Sequence, residues 1–239
     1  MDLPRREFLR LATTGFVACS PSNCPIRRSL AHEVEARAPF NIRSFGAAGD
    51  GRTVDTPAVN RAIATAASSG GGTVLFPAGT YACHSIRLKS YVTLRLEQGA
   101  IILAAPSGGY DDAESNKPFE SYQDFGHNHW HNSLIWGEGI HSVAICGPGL
   151  IYGRGLARGE AAEPGLPLAD APGAADKVIA LKGCRNMTVR DVAIVATGHF
   201  GILATGVDDL TLENLKIDTN RDGINVDSCK KKFVSPGAA

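Results

Sequence analysis

Two adjacent segments near the end of the chain repeat one alternation of apolar and polar positions. They place Met187 over Leu210 and Ile194 over Ile217, an offset of 23 residues in both cases. Short alternating runs that are broken by Gly, Asn and Asp and recur at this period are typical of a solenoid in which each repeat forms one coil. Because the apolar residues alternate as they do in strands, the pattern predicts an all-β parallel β-helix.

One helix is predicted ahead of the repeats. Thr56 supplies a capping hydroxyl, and Pro57 follows at the first helical position. An apolar face then recurs at helical spacing, formed by Val59, Ala62, Ile63, Ala66 and Ala67. Gly70–Gly72 ends the helix. A helix here would cap the first coil, whose strand edges would otherwise be open to other chains.

Strands are predicted on both sides of this helix. Asn41–Phe45 alternates as a strand, and Gly46–Gly51 supplies a turn. After the helix, the predicted strands are Thr73–Phe76, Ser85–Leu88, Val92–Leu96, Ala100–Leu103, Ser133–Trp136 and Val143–Gly153. The last clean coils run from Lys177 to Cys229. Two segments that do not alternate, Ala105–Asn132 and Ala157–Asp176, are predicted to be insertions on one side of the solenoid.

The composition limits the classes of partner. The 239 residues include 24 basic and 24 acidic side chains, so the chain lacks the positive charge that suits nucleic acid. The chain is 44% hydrophobic, enough for a sizeable core. With 27 glycines and only 7% aromatic residues, it suits many short strands joined by tight turns better than a helical bundle.

Residues 1–38 are predicted to be an export signal of the twin-arginine type. Arg5 and Arg6 precede a modest apolar run from Leu9 to Cys19 that is too short to span a bilayer. The signal predicts a periplasmic or extracellular protein whose β-helix domain occupies residues 40–239. Lipid anchoring at Cys19 is the alternative, because residues 16–19 resemble a lipoprotein processing box.

Five segments match the motifs of one enzyme family. They are Phe45–Gly51, Gly70–Tyr81, His131–Gly137, Gly147–Gly153 and Asn220–Gly223. Together they resemble glycoside hydrolase family 28, the polygalacturonases, over nearly all of residues 40–229. The resemblance implies a right-handed parallel β-helix. It also implies inverting hydrolysis of galacturonic-acid linkages in pectic polysaccharide, without a cofactor or a metal.

The family's first motif is Asn-x-Asp-Gly, and its match here makes Asp222 the catalytic carboxylate that the resemblance carries over, with a role in activating water. Inversion needs a second carboxylate about 6.5 to 9.5 Å away, on the other side of the bond. The family's later motifs, an Asp-Asp pair, Gly-His-Gly and Arg-x-Lys, have no counterpart here. After Cys229 the sequence no longer alternates. We therefore expect a chain that lacks its C-terminal coils and is inactive or weakly active.

Three residues near Asp222 are candidates for substrate binding. His199 precedes Asp222 by 23 residues, so the repeat predicts that it lies one coil earlier on the same corner. There it would either line a substrate subsite or be a hydrogen-bonded corner histidine. Arg221 suits a bidentate contact with an anionic sugar, although a surface ion pair is equally compatible. Asn220 belongs to the same motif and is the third candidate.

Two pairs of adjacent aspartates are weaker candidates. Asp208 and Asp209 fall over residues 185–186 in the repeat, at a corner away from Asp222, and are predicted to be solvated turn residues. Asp111 and Asp112 lie in the first insertion and receive the same interpretation.

The histidines His127, His129 and His131 alternate and would share one face of a strand. Without a carboxylate or cysteine partner, a cleft wall is favoured over a metal site. Trp130 between them either stacks on a sugar ring or caps the coil.

Two other functions stay open. A calcium-dependent pectate lyase would need a cluster of acidic ligands, which the sequence does not reveal. A non-catalytic carbohydrate-binding or tailspike-like β-helix is compatible with the early glycine-rich motifs, which such proteins share. The oligomeric state is not determined by the sequence.

Overall fold

The computed structural model describes residues 38–117, 125–158, 165–219 and 221–234. In these ranges the chain forms a right-handed parallel β-helix, as the sequence predicted. Eighteen strands of the described chain form three parallel sheets, which we name A, B and C. Each full coil passes from sheet A to sheet B and then to sheet C before the next coil begins.

Sheet A contains the strands that begin, in every coil after the first, at a corner where the backbone takes a positive φ. Its strands are β1 (Phe40–Asn41), β3 (Gly72–Phe76), β6 (Val92–Leu96), β9 (His141–Cys146), β12 (Arg185–Arg190), β15 (Asp208–Glu213) and β18 (Lys230–Val234). Ser142, Asn186 and Asp209 stack at this corner, all with φ between +53° and +57°. Met187 pairs with Leu210, which confirms the predicted 23-residue repeat.

Sheet B supplies the second wall of each coil. Its strands are β2 (Asp50–Val54), β4 (Gly79–Cys83), β7 (Ala100–Ala104), β10 (Leu150–Tyr152), β13 (Ala193–Val195) and β16 (Lys216–Asp218). Ile102, Ile151 and Ile194 pair across it and are completely buried. Strands β2 and β4 were not predicted, because apolar and polar residues do not alternate in either of them.

Sheet C forms the third wall. Its strands are β5 (Ile86–Arg87), β8 (Ser133–Glu138), β11 (Lys177–Lys182), β14 (Phe200–Thr205) and β17 (Asp222–Asp227). In the first coil, helix α1 (Thr56–Ser68) stands in the chain order where later coils have a sheet C strand. It packs against β1, β3 and β5, which is the capping position that the sequence predicted.

The helix buries the predicted face, including Val59 and Ile63. Thr56 is not its cap: the cap residue is Asp55, and the Thr56 hydroxyl instead accepts a hydrogen bond from the N–H of His84 at 2.7 Å. The prediction for Asn41–Phe45 was also wrong, because a 3-10 helix at Ile42–Phe45 follows the two-residue strand β1. Turning inward there buries Ile42 completely against α1.

A second short helix, α2 (Phe125–Asn128), lies within the first insertion. Across the described ranges, no helix combines the length and the apolar composition that crossing a bilayer requires. The export signal predicted for residues 1–38 falls almost wholly on residues 1–37, which lie outside the described residues.

Candidate active site

The outer face of sheet C carries its own hydrophobic cluster, separate from the core. Phe200 and Leu203 of β14 are completely buried there against Trp130, and Trp136 packs beside them. Ile202 between them points into the core. This face of the solenoid is therefore covered, in its middle coils, by aromatic side chains.

The first insertion is attached to this face through the carboxylate of Glu114. It accepts hydrogen bonds from the N–H groups of Trp130 at 3.1 Å and His131 at 3.0 Å, and it lies 3.5 Å from the Lys182 ammonium. The same ammonium lies 4.4 Å from the centre of the Trp130 ring. Trp130 is 5% exposed, so it is a buried cap over sheet C and not an open platform for a sugar.

Asp111 makes a second attachment, contrary to its interpretation as a solvated turn residue. Its carboxylate accepts hydrogen bonds from Arg87 Nε and Trp136 Nε1, both at 2.8 Å. Burial by itself would raise the pKa of Asp111, but the hydrogen bonds from Arg87 and Trp136 outweigh it and hold the pKa below its usual range. Because Arg87 lies on β5 and Trp136 on β8, these hydrogen bonds hold the insertion against sheet C.

A buried ion pair stands at the start of β11. Asp176 and Lys177 are completely buried, and their charged groups are in direct contact. The Asn132 amide donates to Asp176 at 3.2 Å and its oxygen accepts from Lys177 at 3.3 Å. His199 Nδ1 lies 3.7 Å from the other carboxylate oxygen of Asp176. Sequence reasoning missed this pair. The 23-residue repeat places Lys177 in register with Phe200, which is completely buried, and a charged residue at such a position could have revealed the pair.

Asp222 begins β17 and is exposed to solvent. Its N–H donates to the carbonyl of His199 at 3.2 Å, and the N–H of His199 donates to the carbonyl of Asp176 at 2.7 Å. The corner that carries Asp222 is therefore hydrogen-bonded, coil by coil, to the buried ion pair.

The predicted register between His199 and Asp222 is wrong by one residue. Asp222 pairs with Phe200, because the turn before β17 has three residues (219–221) where the turn before β14 has four (196–199). The two residues nevertheless lie on the same corner in successive coils. His199 is 3% exposed and its ring stacks on Phe200 with centroids 4.1 Å apart. This burial favours the corner-histidine interpretation over a substrate contact.

Arg221 is exposed at the same corner. Its guanidinium donates to the carbonyl of Arg158 at 2.5 Å, a contact with the second insertion and not an ion pair. Asn220 lies outside the described residues. The roles predicted for Asp222, His199, Arg221 and Asn220 stay predictions.

The remaining candidates do not join this corner. Asp208 and Asp209 begin β15 in sheet A, where Asp208 pairs with Arg185 as the repeat predicted. No strand holds the histidines of the first insertion, since His127 belongs to α2. His129 contacts the Phe125 carbonyl at 2.9 Å, and His131 contacts Glu138 at 2.8 Å. In the described residues, no three His, Cys, Asp or Glu side chains are grouped as metal ligands would be.

The strand pairing shows which side chains lie near Asp222 on sheet C and whether any of them is a second carboxylate. Its ladder on sheet C continues through Phe200 and Lys177 to Ser133, none of which is a carboxylate. Asp227 ends the same strand, five residues away or roughly 16 Å at ~3.3 Å per residue. That exceeds the separation of about 6.5 to 9.5 Å that inversion requires. The described strands of sheet C thus supply one carboxylate suited to this reaction.

Comparison with known proteins places this geometry in context. The family described as "Rhamnogalacturonase A/epimerase, pectate lyase-like" matches residues 39–133. A probable polygalacturonase of Vitis vinifera is 27% identical over 79% of this chain and 40% of its own length. The family 28 exopolygalacturonase of Yersinia enterocolitica superposes with a TM-score of 0.59 at 24% identity, over 80% of this chain and 41% of that one.

These findings support a family 28-like protein. The resemblance predicted from the sequence is thereby confirmed, and so is the fold. Similarity over part of the chain extends to a protein named for other chemistry: Mannuronan C5-epimerase AlgE3 of Azotobacter vinelandii is 41% identical over 29% of this chain and 4% of its own length. The chain spans less than half the length of each of these relatives.

Proposed function

We propose that this family 28-like chain is a glycoside hydrolase domain that acts on galacturonic-acid linkages of pectic polysaccharide, with Asp222 as a carboxylate that activates water. The observation that carries the proposal is the position of Asp222. It is exposed on the outer face of sheet C, at a corner held by backbone hydrogen bonds to a buried ion pair. A carboxylate on a rigid strand can be aimed at one face of a bound sugar.

The neighbouring charges suit an acidic sugar. Arg221 is exposed next to Asp222, and a guanidinium can bind a sugar carboxylate in a bidentate manner. We propose that Asn220 and Arg221 contact the substrate, and that His199 supports the corner from below. Because the described strands of sheet C offer one suitable carboxylate, we expect this chain by itself to hydrolyse slowly.

A second candidate function is a lyase or epimerase acting on a uronate polymer. It is favoured by the similarity of part of the chain to a mannuronan C5-epimerase and by the description of the family that matches residues 39–133. A binding module without catalysis is the third possibility, since the β-helix scaffold alone does not determine chemistry.

The products formed from polygalacturonate distinguish these functions. Hydrolysis releases saturated reducing ends, a lyase releases unsaturated ends that absorb in the ultraviolet, and a binding module releases neither. We expect slow release of saturated ends after long incubation, measured by fluorescent labelling of reducing ends. Unsaturated ends, or no release above a sample without protein, would contradict the proposal.

A further inference from the structure

The outer face of sheet B carries a continuous ladder of residues, on a different wall of the solenoid from the strand that begins at Asp222. Register pairing joins one outward residue from each of six successive strands: Val54, Ala82, Leu103, Tyr152, Val195 and Asp218. The adjacent residues Ile102, Ile151 and Ile194 are completely buried in the core, so the ladder faces outward. Five steps of ~4.8 Å give it a length of roughly 24 Å.

Two surface cavities lie along this ladder, and we call the surface that they form the sheet B groove. One cavity, of about 440 Å³, lies over Val54, Ala82 and Leu103. The other, of about 450 Å³, lies over Tyr152, Val195 and Asp218. The wall is formed by Arg154, which precedes the second insertion, and by two residues of that insertion, Pro167 at the first cavity and Arg158 at the second.

Among the described residues that line the groove, the charges are mainly positive. Arg52 and Arg154 are exposed at the first cavity, and in the described part of the chain neither guanidinium pairs with a carboxylate. The Arg154 guanidinium lies 5.8 Å from the centre of the Tyr152 ring. Arg158 adds a third cation to the wall, and Asp218 is the one carboxylate among the described residues that line the groove.

We propose that the sheet B groove binds a stretch of acidic polysaccharide, on a different wall of the solenoid from Asp222. A guanidinium fits a carboxylate in a bidentate manner, and an aromatic ring beside apolar residues suits the apolar faces of sugar rings. A regular floor, repeated once per coil, suits a polymer with a repeated carboxylate. The choice of a polyuronate as the polymer rests on the proposed function; the acidic character follows from the arginines.

The test is binding of a fluorescently labelled oligogalacturonate, measured by polarisation on the full chain. We expect Arg52→Glu combined with Arg154→Glu to raise the Kd at least tenfold, about 1.4 kcal/mol. The matched control reverses two exposed arginines of sheet A, Arg95→Glu with Arg185→Glu, and should change the Kd less than twofold. Equal urea midpoints for all variants would show that folding is intact.

Two further comparisons identify the ligand. A methyl-esterified oligomer should bind at least tenfold more weakly than the acid, and Tyr152→Ala should weaken binding where Tyr152→Phe does not. Unchanged affinity in the Arg52 and Arg154 variant, or an equal loss in the sheet A control, would overturn the proposal. Tighter binding of a short DNA duplex than of the oligogalacturonate would overturn the assignment to a polysaccharide.

The outcome is independent of catalysis at Asp222. If the chain binds the oligomer through the arginines but releases no reducing ends, the proposed hydrolysis fails and the groove stands. If reducing ends are released while the arginine variant binds like the original chain, the groove fails and the hydrolysis stands.

Discussion

The backbone N–H of Asp222 donates to the carbonyl of His199 at 3.2 Å, which joins the exposed candidate carboxylate to a buried histidine of the preceding coil. His199 in turn contacts Asp176 through both its backbone and its ring. The position of Asp222 therefore depends on buried groups that would never touch a substrate.

Replacing Asp222 by Asn should reduce any release of reducing ends at least a hundredfold, because positioned general acid or base groups contribute about 10² to 10⁴ in rate. Stability should change by less than about 0.5 kcal/mol, since the side chain is exposed. Labelled reducing ends and urea unfolding measure the two effects. Asp209→Asn is the matched control, as Asp209 is an exposed aspartate of sheet A. Equal rates for both variants would remove Asp222 from the reaction.

Replacing Lys177 by Met should lower the free energy of unfolding by about 3–5 kcal/mol, because it leaves the Asp176 carboxylate buried without its partner. The double variant, Asp176→Asn with Lys177→Met, should recover most of that loss. Urea unfolding measures both. Lys231→Met, at an exposed ion pair with Asp209, should have no measurable effect. A single variant as stable as the original chain would show that the pair is not buried in solution.

Replacing Asp111 by Asn should cost about 1–2 kcal/mol at pH 7, because Arg87 and Trp136 lose a charged acceptor. The pKa of Asp111 is lowered in the folded chain, so its contribution is complete above the ordinary pKa of about 3.9 and is lost as the pH falls through the folded value. Urea unfolding at several pH values should show the difference between the two proteins shrinking below about pH 4. A difference in the free energy of unfolding that stays constant with pH would show that Asp111 stabilises the chain through packing and not through its charge.

Replacing Arg5 and Arg6 by lysines should retain the protein in the cytoplasm of a host with a twin-arginine pathway. The measurement is the fraction of protein in the periplasm. Cys19→Ser tests the alternative, lipid anchoring at Cys19. We expect this variant to have the same location as the original chain. If the original chain carries a lipid label that the variant lacks, the protein is anchored. Unimpaired export of the lysine variant would refute the predicted route.

Much of the fold was predictable because the solenoid repeats locally. The 23-residue offset predicts the pairing of Met187 with Leu210, and the helical face of α1 is evident from its spacing. The candidate site was less predictable. One residue fewer in a turn moved the partner of Asp222 from His199 to Phe200, and a repeat inferred from neighbouring strands does not reveal such a change.

The sequence by itself determined the parallel coils, the capping helix and the two insertions, because each depends on the periodicity of nearby apolar residues. Only the tertiary structure decided that Asp111 anchors an insertion to Arg87 and Trp136, and that Asp176 and Lys177 form a buried pair beneath the Asp222 corner. It also decided that outward residues of six strands align into the sheet B groove. The physical reason is that insertions without periodicity pack where their charged groups find hydrogen-bond and ion-pair partners. Those partners come together only after the coils have stacked.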